Sequence, residues 1–133
     1  MWESDADLKR DLDEITAIGA QWIRLDFGWT NIEPVQGTFD WSNTDRVLNA
    51  VVSRGLKVVA ILHATPAWAR PAGTDNIFYP PTDPATFASF ANRTVSRYST
   101  KVKTWEVLNE PNISRFWQPK PDPAGYTALL KLA

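Results

Sequence analysis

The stretch 104–112, "TWEVLNEPN", ends a run of bulky and β-branched residues with a carboxylate between two amides and a proline. A carboxylate at the end of a buried strand costs desolvation free energy and adds nothing to a core. Glu110 is therefore either a helix cap or surface acid, or a group that exchanges protons with a ligand. Pro111 disfavours a helical conformation of Glu110, and Asn109 and Asn112 can hydrogen-bond to sugar hydroxyls.

The composition narrows the chemistry that these residues can take part in. The 133 residues include no cysteine and one histidine, His63, which argues against thiolate or histidine metal sites and against a Ser-His triad. A net charge of −1 gives no sign of a nucleic-acid or anionic membrane partner, and no apolar run is long enough to span a bilayer. We therefore predict no metal, no cofactor, no nucleic-acid partner and no membrane partner.

Aromatic residues are numerous, at 12% of the chain with seven tryptophans. Core packing explains about half of them, and the others are candidates for a surface that stacks on flat apolar faces of a ligand. The N-terminal stretch "MWESDADLKR" is polar and acidic, so we expect no signal peptide there.

The elements that must position these residues alternate between helix and strand. Apolar residues at helical spacing predict helices over 5–18, 43–54, 84–98 and from Pro123 onward. Strand-like runs occupy 21–27, 56–62 and 102–108. Asp83 and Asp122 are the predicted N-caps of the last two helices, and the segments that follow the strands are predicted loops.

The order α-β-α-β-α-β-α predicts a parallel sheet with helical crossovers in one α/β domain, residues 1–133. An open doubly wound sheet and a (β/α)8 barrel both fit this order. No glycine-rich phosphate motif follows any strand, and each strand ends in a loop rich in Trp, His, Asn or acids, as at the active-site end of a barrel. Since a barrel takes about 250 residues, we predict a partial (β/α)8 TIM barrel, roughly strands 2–4 with flanking helices.

Three segments together resemble the retaining glycoside hydrolases of clan A, whose fold is a (β/α)8 barrel. "WEVLNEPN" is similar to the clan's fourth strand with its Asn-Glu-Pro motif, "WIRLDFGWTNIEPVQGTFDW" to the second strand and its loop, and "GLKVVAILHATPAWA" to the third. The closest similarity is to glycoside hydrolase family 39, with the cellulase-like family 5 next. The resemblance implies the N-terminal half of a catalytic domain that acts on a carbohydrate substrate.

The resemblance also implies roles for residues at the strand ends. Glu110 matches the general acid/base, which protonates the glycosidic oxygen in the first step and deprotonates water in the second. Asn109 matches the residue that holds the sugar. Arg24 matches the clan's strand-2 arginine near the nucleophile, and its alternative is a buried ion pair with Asp26 or Glu106.

The remaining candidate sugar contacts are imidazole or indole side chains. His63 ends a strand where the clan places polar sugar contacts, although a single histidine can equally be a structural group. Trp29 and Trp68 lie in loops after strands and are either stacking platforms or loop packing. Trp117 follows the acid/base loop and is a candidate to line a subsite.

Three further residues are assigned structural or supporting roles. Glu33 and Trp41 flank the loop after the first strand in a pattern that looks structural. Glu106 lies within the last strand, and we expect it to point into the barrel and to join a polar network with Arg24.

A retaining mechanism needs a second carboxylate about 5–5.5 Å from the first. In the clan this nucleophile is a Glu at the end of strand seven, and no acid in the 133 residues matches it. We therefore expect the isolated fragment to be inactive. The expected partner is the rest of the barrel, in the same longer chain or another subunit, because a three-stranded parallel sheet leaves two unpaired edges.

Two functions remain open from the sequence. One is a retaining glycoside hydrolase, present here as its N-terminal half, and the other is a non-catalytic carbohydrate-binding or self-assembling half-barrel. A barrel enzyme of another chemistry has no phosphate loop, metal cluster or reactive-lysine motif to support it. Secretion is the expectation for the class, because polymeric glycans lie mostly outside cells.

Overall fold

A computed structural model describes residues 4–133, so the first three residues of the polar N-terminal stretch lie outside the described residues. The helices are α1 Asp5–Ala17, α2 Trp29–Ile32, α3 Ser42–Val52, α4 Pro84–Tyr98 and α5 Pro123–Leu132, and the strands are β1 Trp22–Gly28, β2 Lys57–His63 and β3 Thr104–Val107. The predicted alternation is confirmed, with one short helix, α2, inside a predicted loop. Within residues 4–133, no helix is both long and apolar enough to cross a membrane.

The two helices that follow the long loops begin at the predicted caps. The Asp83 carboxylate accepts a hydrogen bond from the Ala85 backbone N–H at 2.9 Å, and Pro84 opens α4. The Asp122 carboxylate accepts from the Gly125 N–H at 3.0 Å, and a proline again follows the cap. Because side-chain oxygens satisfy N–H groups that the helix leaves unpaired, each helix start is fixed by local sequence.

The three strands form one parallel sheet in the order β1-β2-β3. Asp26 on β1 lies beside Ile61 on β2, which lies beside Glu106 on β3. Side chains alternate between the faces of a strand. The sheet therefore has one apolar face and one polar face.

One face of the sheet is covered and apolar. Phe27 packs edge-on against Tyr98 of α4, with ring centroids 5.4 Å apart, and against Trp105 of β3 at 5.5 Å. Buried residues from α1, α3, α4 and α5 join the same core. The opposite face is polar where β1 and β3 carry Arg24, Asp26 and Glu106.

The last strand is shorter than the predicted run 102–108. The Val102 N–H still bonds to the Tyr98 carbonyl at 2.9 Å, so the chain is leaving α4 at that point. Leu108 has a φ of +62°, which turns the backbone out of the extended conformation. The segment from Leu108 onward therefore lies beyond the strand, at the C-terminal edge of the sheet.

Candidate active site at the strand ends

Arg24 links the two outer strands on the polar face of the sheet. Its Nη2 donates to Glu106 Oε2 at 2.5 Å and to Asn109 Oδ1 at 2.9 Å, and its Nε donates to Glu106 Oε2 at 3.1 Å. The predicted network between Arg24 and Glu106 is therefore confirmed. Since Arg24 holds the carbonyl oxygen of Asn109, the Asn109 NH2 group remains to donate to a ligand hydroxyl.

The charges in this network reinforce each other. The hydrogen bond from Arg24 lowers the pKa of Glu106 below its usual range, and the same contact raises the pKa of Arg24. Both groups are thus ionised at neutral pH. The ion pair is half exposed in this chain, with side-chain exposures of 48% for Arg24 and 40% for Glu106. It is therefore not the buried ion pair that the sequence offered as the alternative role of Arg24.

His63 closes β2 between the polar face and the loop that follows. Its Nε2 lies 3.7 Å from Asp26 Oδ1, which is a charge contact and too long for a hydrogen bond. Its Nδ1 is buried and has no hydrogen-bond partner among residues 4–133. Burial lowers the pKa of His63, against the opposing influence of the Asp26 carboxylate. A neutral imidazole offers one donor and one acceptor to a ligand.

Three residues that are not glycine have left-handed backbone conformations at the ends of β2 and β3. The φ angles are +68° at Ala64, +62° at Leu108 and +41° at Glu110. Each such residue costs on the order of 1–3 kcal/mol, and they concentrate at functional sites. The expectation that Pro111 keeps Glu110 out of the right-handed helical conformation is confirmed.

Glu110 itself is exposed at the C-terminal end of β3. Among residues 4–133, no side chain or backbone group hydrogen-bonds to its carboxyl group. Its negative charge adds to the field that raises the pKa of Arg24. The carboxyl group is therefore available to a ligand beside the ordered Arg24–Asn109 pair.

Trp29 is a core residue, and its assignment as a stacking platform is wrong. Its exposed fraction is 0%, and its ring packs between Phe90 at 5.3 Å and Trp68 at 5.3 Å. The Trp29 Nε1–H donates to the buried Glu33 carboxylate at 2.7 Å, and the Gly37 N–H donates to the same group at 2.8 Å. A ring without an exposed face cannot stack on a sugar, whereas Glu33 is structural as expected.

Trp68 is half-buried, but the structure does not bring it to Glu110. Its indole N–H donates to the Glu33 carbonyl at 2.9 Å. Its remaining surface lines a cleft against α4, with Thr86, Ser89 and Arg93. Of the two alternatives for Trp68, these contacts support loop packing over a stacking platform.

Trp117 is also buried, with an exposed fraction of 3%, because it packs edge-on against Tyr126 of α5 at 5.9 Å. Little of its ring surface is left for contact with a sugar, but the ring lines a small cavity together with His63 and Asn109, so its role beside a subsite stays a prediction. Its neighbour Phe116 is half-buried and lines the same small cavity as His63 and Asn109. Phe116 and Trp117 are adjacent, and nothing in the local sequence marks which of the two rings is the more exposed.

The described part of the chain shows no group of three or more His, Asp or Glu side chains that could hold a metal ion. The arrangement instead provides one available carboxyl group, one positioned amide and one partly buried imidazole. Such a set can bind hydroxyl groups and exchange a proton with a bound ligand.

The fold is similar to solved glycoside hydrolases. A family 39 glycoside hydrolase from the gut symbiont Bacteroides cellulosilyticus WH2 is 27% identical, with a TM-score of 0.76 over 97% of this chain and 26% of that chain. A beta-xylosidase from Caulobacter crescentus CB15 is 21% identical, with a TM-score of 0.73 over 97% of this chain and 29% of that chain. A beta-galactosidase from the psychrophilic Marinomonas ef1 is 23% identical, with a TM-score of 0.70 over 86% of this chain and 21% of that chain.

These similarities confirm the predicted fold class. The sheet and its helices are part of the α/β barrel of family 39-like enzymes, and the chain spans about a quarter of the length of the structures that it matches. The polar face with Arg24, Asp26 and Glu106 is accordingly the face that points into the barrel.

A family match accompanies the structural similarity. Residues 1–104 match the sequence model of glycoside hydrolase family 42, described as beta-galactosidase. The matched residues include Arg24 and His63 and end before Asn109 and Glu110. Family 42 belongs to clan A, so the predicted clan is confirmed, while the family 39 likeness is seen in the structures. The chain belongs to glycoside hydrolase family 42, the beta-galactosidase family.

Proposed function

We propose that the full-length protein hydrolyses O-glycosidic bonds in oligo- or polysaccharides with retention of configuration, and that Glu110 is its general acid/base. One observation carries the proposal. The Glu110 carboxyl group is exposed at the end of β3, next to Asn109, whose amide is oriented by Arg24 at 2.9 Å. A proton donor beside a fixed hydroxyl-binding group is what cleavage of a sugar–oxygen bond requires.

The proposed reaction has two steps. Glu110 gives its proton to the glycosidic oxygen while the bond from that oxygen to the anomeric carbon breaks, and the bonding electrons stay on the oxygen. A carboxylate nucleophile from outside these 133 residues forms a bond to the anomeric carbon at the same time. Glu110 then takes a proton from water as the water oxygen attacks that carbon and releases the nucleophile.

The other groups of the site bind and orient the sugar. The NH2 group of Asn109 donates to a hydroxyl, and the neutral His63 accepts from or donates to another. Arg24 is held by Glu106, so it keeps Asn109 in place and contributes positive charge near the carboxylates. Arg24, His63 and Glu106 lie on three neighbouring strands and Asn109 follows the third, which gives the site a rigid base.

The rest of the barrel is the proposed partner of this segment and the source of the nucleophile. Support comes from the matched structures, of which this chain covers 26%, 21% and 29%. Those structures are named as a glycoside hydrolase, a beta-galactosidase and a beta-xylosidase, so we propose β-galactosides and β-xylosides as the first substrates to test. We further propose that the protein acts outside the cell, where most polymeric glycans lie.

Glu110→Gln in the full-length protein tests the acid/base role. We expect kcat/KM for a disaccharide to fall about 100-fold or more, because its leaving oxygen needs a proton. A glycosyl fluoride of the same sugar should be affected far less, since fluoride leaves without protonation. Glu14→Gln, an exposed acid on α1, is the control and should change neither rate.

Full activity of Glu110→Gln on the disaccharide would refute the assignment. Binding of a glycan without turnover, followed by tryptophan fluorescence, would instead support the carbohydrate-binding half-barrel that the sequence left open.

A further inference from the structure

The position of a leaving group follows from the proposed role of Glu110. A general acid lies within hydrogen-bonding distance of the oxygen that it protonates. The leaving group is attached to that oxygen and therefore lies against the segment that follows Glu110. The side chains of residues 111–118 are the first candidates to contact it.

This segment is held rigidly with respect to Glu110 by two consecutive turns. The Ile113 N–H donates to the Glu110 carbonyl at 3.1 Å, and the N–H groups of Phe116 and Trp117 both donate to the Ile113 carbonyl at 3.1 Å. Phe116 is thus two hydrogen-bonded turns from Glu110. A side chain fixed in this way binds a ligand without a large ordering cost.

Phe116 and Phe78 form an aromatic wall across the ends of β2 and β3. Their ring centroids lie 4.9 Å apart at an interplanar angle of 82°, and the Phe78 ring is inclined by 24° to the His63 ring, with centroids 6.5 Å apart. The Gln118 N–H donates to the Phe78 carbonyl at 3.1 Å, which ties the two loops together. The wall lines the same small cavity as Asn109 and His63, so it borders the site.

The surface around the aromatic wall is apolar with one cation. Ile77 and Ile113 are 37% and 39% exposed, so they add accessible apolar surface beside the two rings. The Arg115 guanidinium lies over the Phe116 ring, 5.3 Å from its centroid. A half-exposed ring with apolar neighbours suits the flat apolar face of a sugar ring or an aryl group.

We propose that Phe116, supported by Phe78 and flanked by Ile113, forms the leaving-group subsite and selects glycosides whose leaving group has a flat apolar face. This inference rests on the proposed function, since it depends on Glu110 protonating the leaving oxygen. It goes beyond that function because it assigns the specificity to particular side chains.

The test compares three substrates with the same glycone in the full-length protein: a 4-nitrophenyl glycoside, a disaccharide and a glycosyl fluoride. We expect Phe116→Ala to lower kcat/KM about tenfold for the first two, because contact area with the leaving group is lost. The glycosyl fluoride should change less than about twofold, because its leaving atom is too small to reach the wall. Its turnover also reports that the site is folded.

Phe116→Leu is the second variant, in case Phe116→Ala lowers all three activities through misfolding. It keeps most of the apolar volume and removes the flat face, so the same selective loss is expected. Phe39→Ala is the matched control, because Phe39 is also half-buried with an arginine, Arg93, 5.2 Å from its ring centroid. Phe39 stacks on Trp41 and is not part of the segment that follows Glu110. Its loss should therefore affect all three substrates equally.

The outcomes separate the two proposals. A selective loss for the disaccharide, the nitrophenyl glycoside or both supports the subsite and identifies the leaving group that it accepts. Equal rates, or an equal loss on all three substrates in Phe116→Leu, would overturn the subsite. If Glu110→Gln also leaves disaccharide hydrolysis intact, the proposed function fails as well.

Discussion

At the scale of single residues, Arg24 determines the geometry of the candidate site. Its planar guanidinium reaches Glu106 and Asn109 at the same time, at 2.5 Å and 2.9 Å from Nη2. A guanidinium presents several donors in a fixed fork, whereas an ammonium is a single point charge on a flexible stem. The orientation of Asn109 therefore depends on the shape of the Arg24 side chain as well as on its charge.

Arg24→Lys tests this dependence. We expect kcat/KM for a disaccharide to fall about tenfold or more in the full-length protein, because Lys cannot hold both acceptors in the same geometry. Arg10→Lys is the matched control, since Arg10 also contacts two acids, Asp7 and Asp11, but on the outer surface of α1. Equal activity of the Arg24→Lys and unaltered proteins would show that positive charge alone is sufficient.

At the scale of elements, α3 and α4 are joined by a polar contact on the covered side of the sheet. Asp45 of α3 accepts from Arg97 Nη2 at 2.5 Å and from the Tyr98 hydroxyl at 2.9 Å, both on α4. The Arg97 hydrogen bond lowers the pKa of Asp45, and burial raises the pKa of Tyr98. Tyr98 also packs on Phe27 of β1, so this contact connects the helix layer to the strand that carries Arg24.

The lowered pKa makes this contact sensitive to acid. A carboxyl group with a lower pKa in the folded state contributes stability above its unfolded pKa, about 3.9 for Asp, and loses it as the pH falls through the folded value. We expect Asp45→Asn to lower the free energy of unfolding of the full-length protein by about 1 kcal/mol at pH 7. The difference should shrink toward about pH 2.

Urea unfolding at both pH values measures the effect of Asp45→Asn. Asp75→Asn is the control, because Asp75 is an exposed loop residue and its substitution should change the stability little. A difference between Asp45→Asn and the unaltered protein that is the same at both pH values would contradict the linkage.

At the scale of the whole molecule, the described residues form a sheet that is covered on one face. β1 and β3 each pair only with β2, so each has one unpaired edge among residues 4–133. The uncovered face carries the Arg24–Glu106 pair, with side chains 48% and 40% exposed. The candidate site therefore lies on the face of the sheet that the described residues leave uncovered.

The isolated polypeptide 1–133 should associate with itself or expose apolar surface. Free parallel edges and an uncovered sheet face promote pairing with another chain. We expect size-exclusion chromatography with light scattering to give a mass above that of a monomer, or the dye ANS to fluoresce several times more strongly than with the full-length protein. Co-expression of the remaining barrel segments should suppress both signals. A monomer that does not bind ANS would show that this half-barrel is complete in itself.

Most of the fold could be predicted from local sequence. The alternation of helices and strands follows from apolar periodicity, and the starts of α4 and α5 follow from Asp83 and Asp122, whose caps involve neighbours within three residues. The conformation of Glu110 likewise depends on the adjacent Pro111. These features are decided by contacts within a few residues, so the sequence alone determines them.

The tertiary structure alone decided which side chains face the site. The Arg24–Asn109 contact joins residues 85 positions apart, and it exists because β1 and β3 lie on either side of β2 in a specific register. Trp29 and Trp117 are buried while Phe116 is partly exposed, because packing against α4 and α5 sets the orientation of each ring. Burial depends on which distant segments meet, and residue type and spacing do not carry that information.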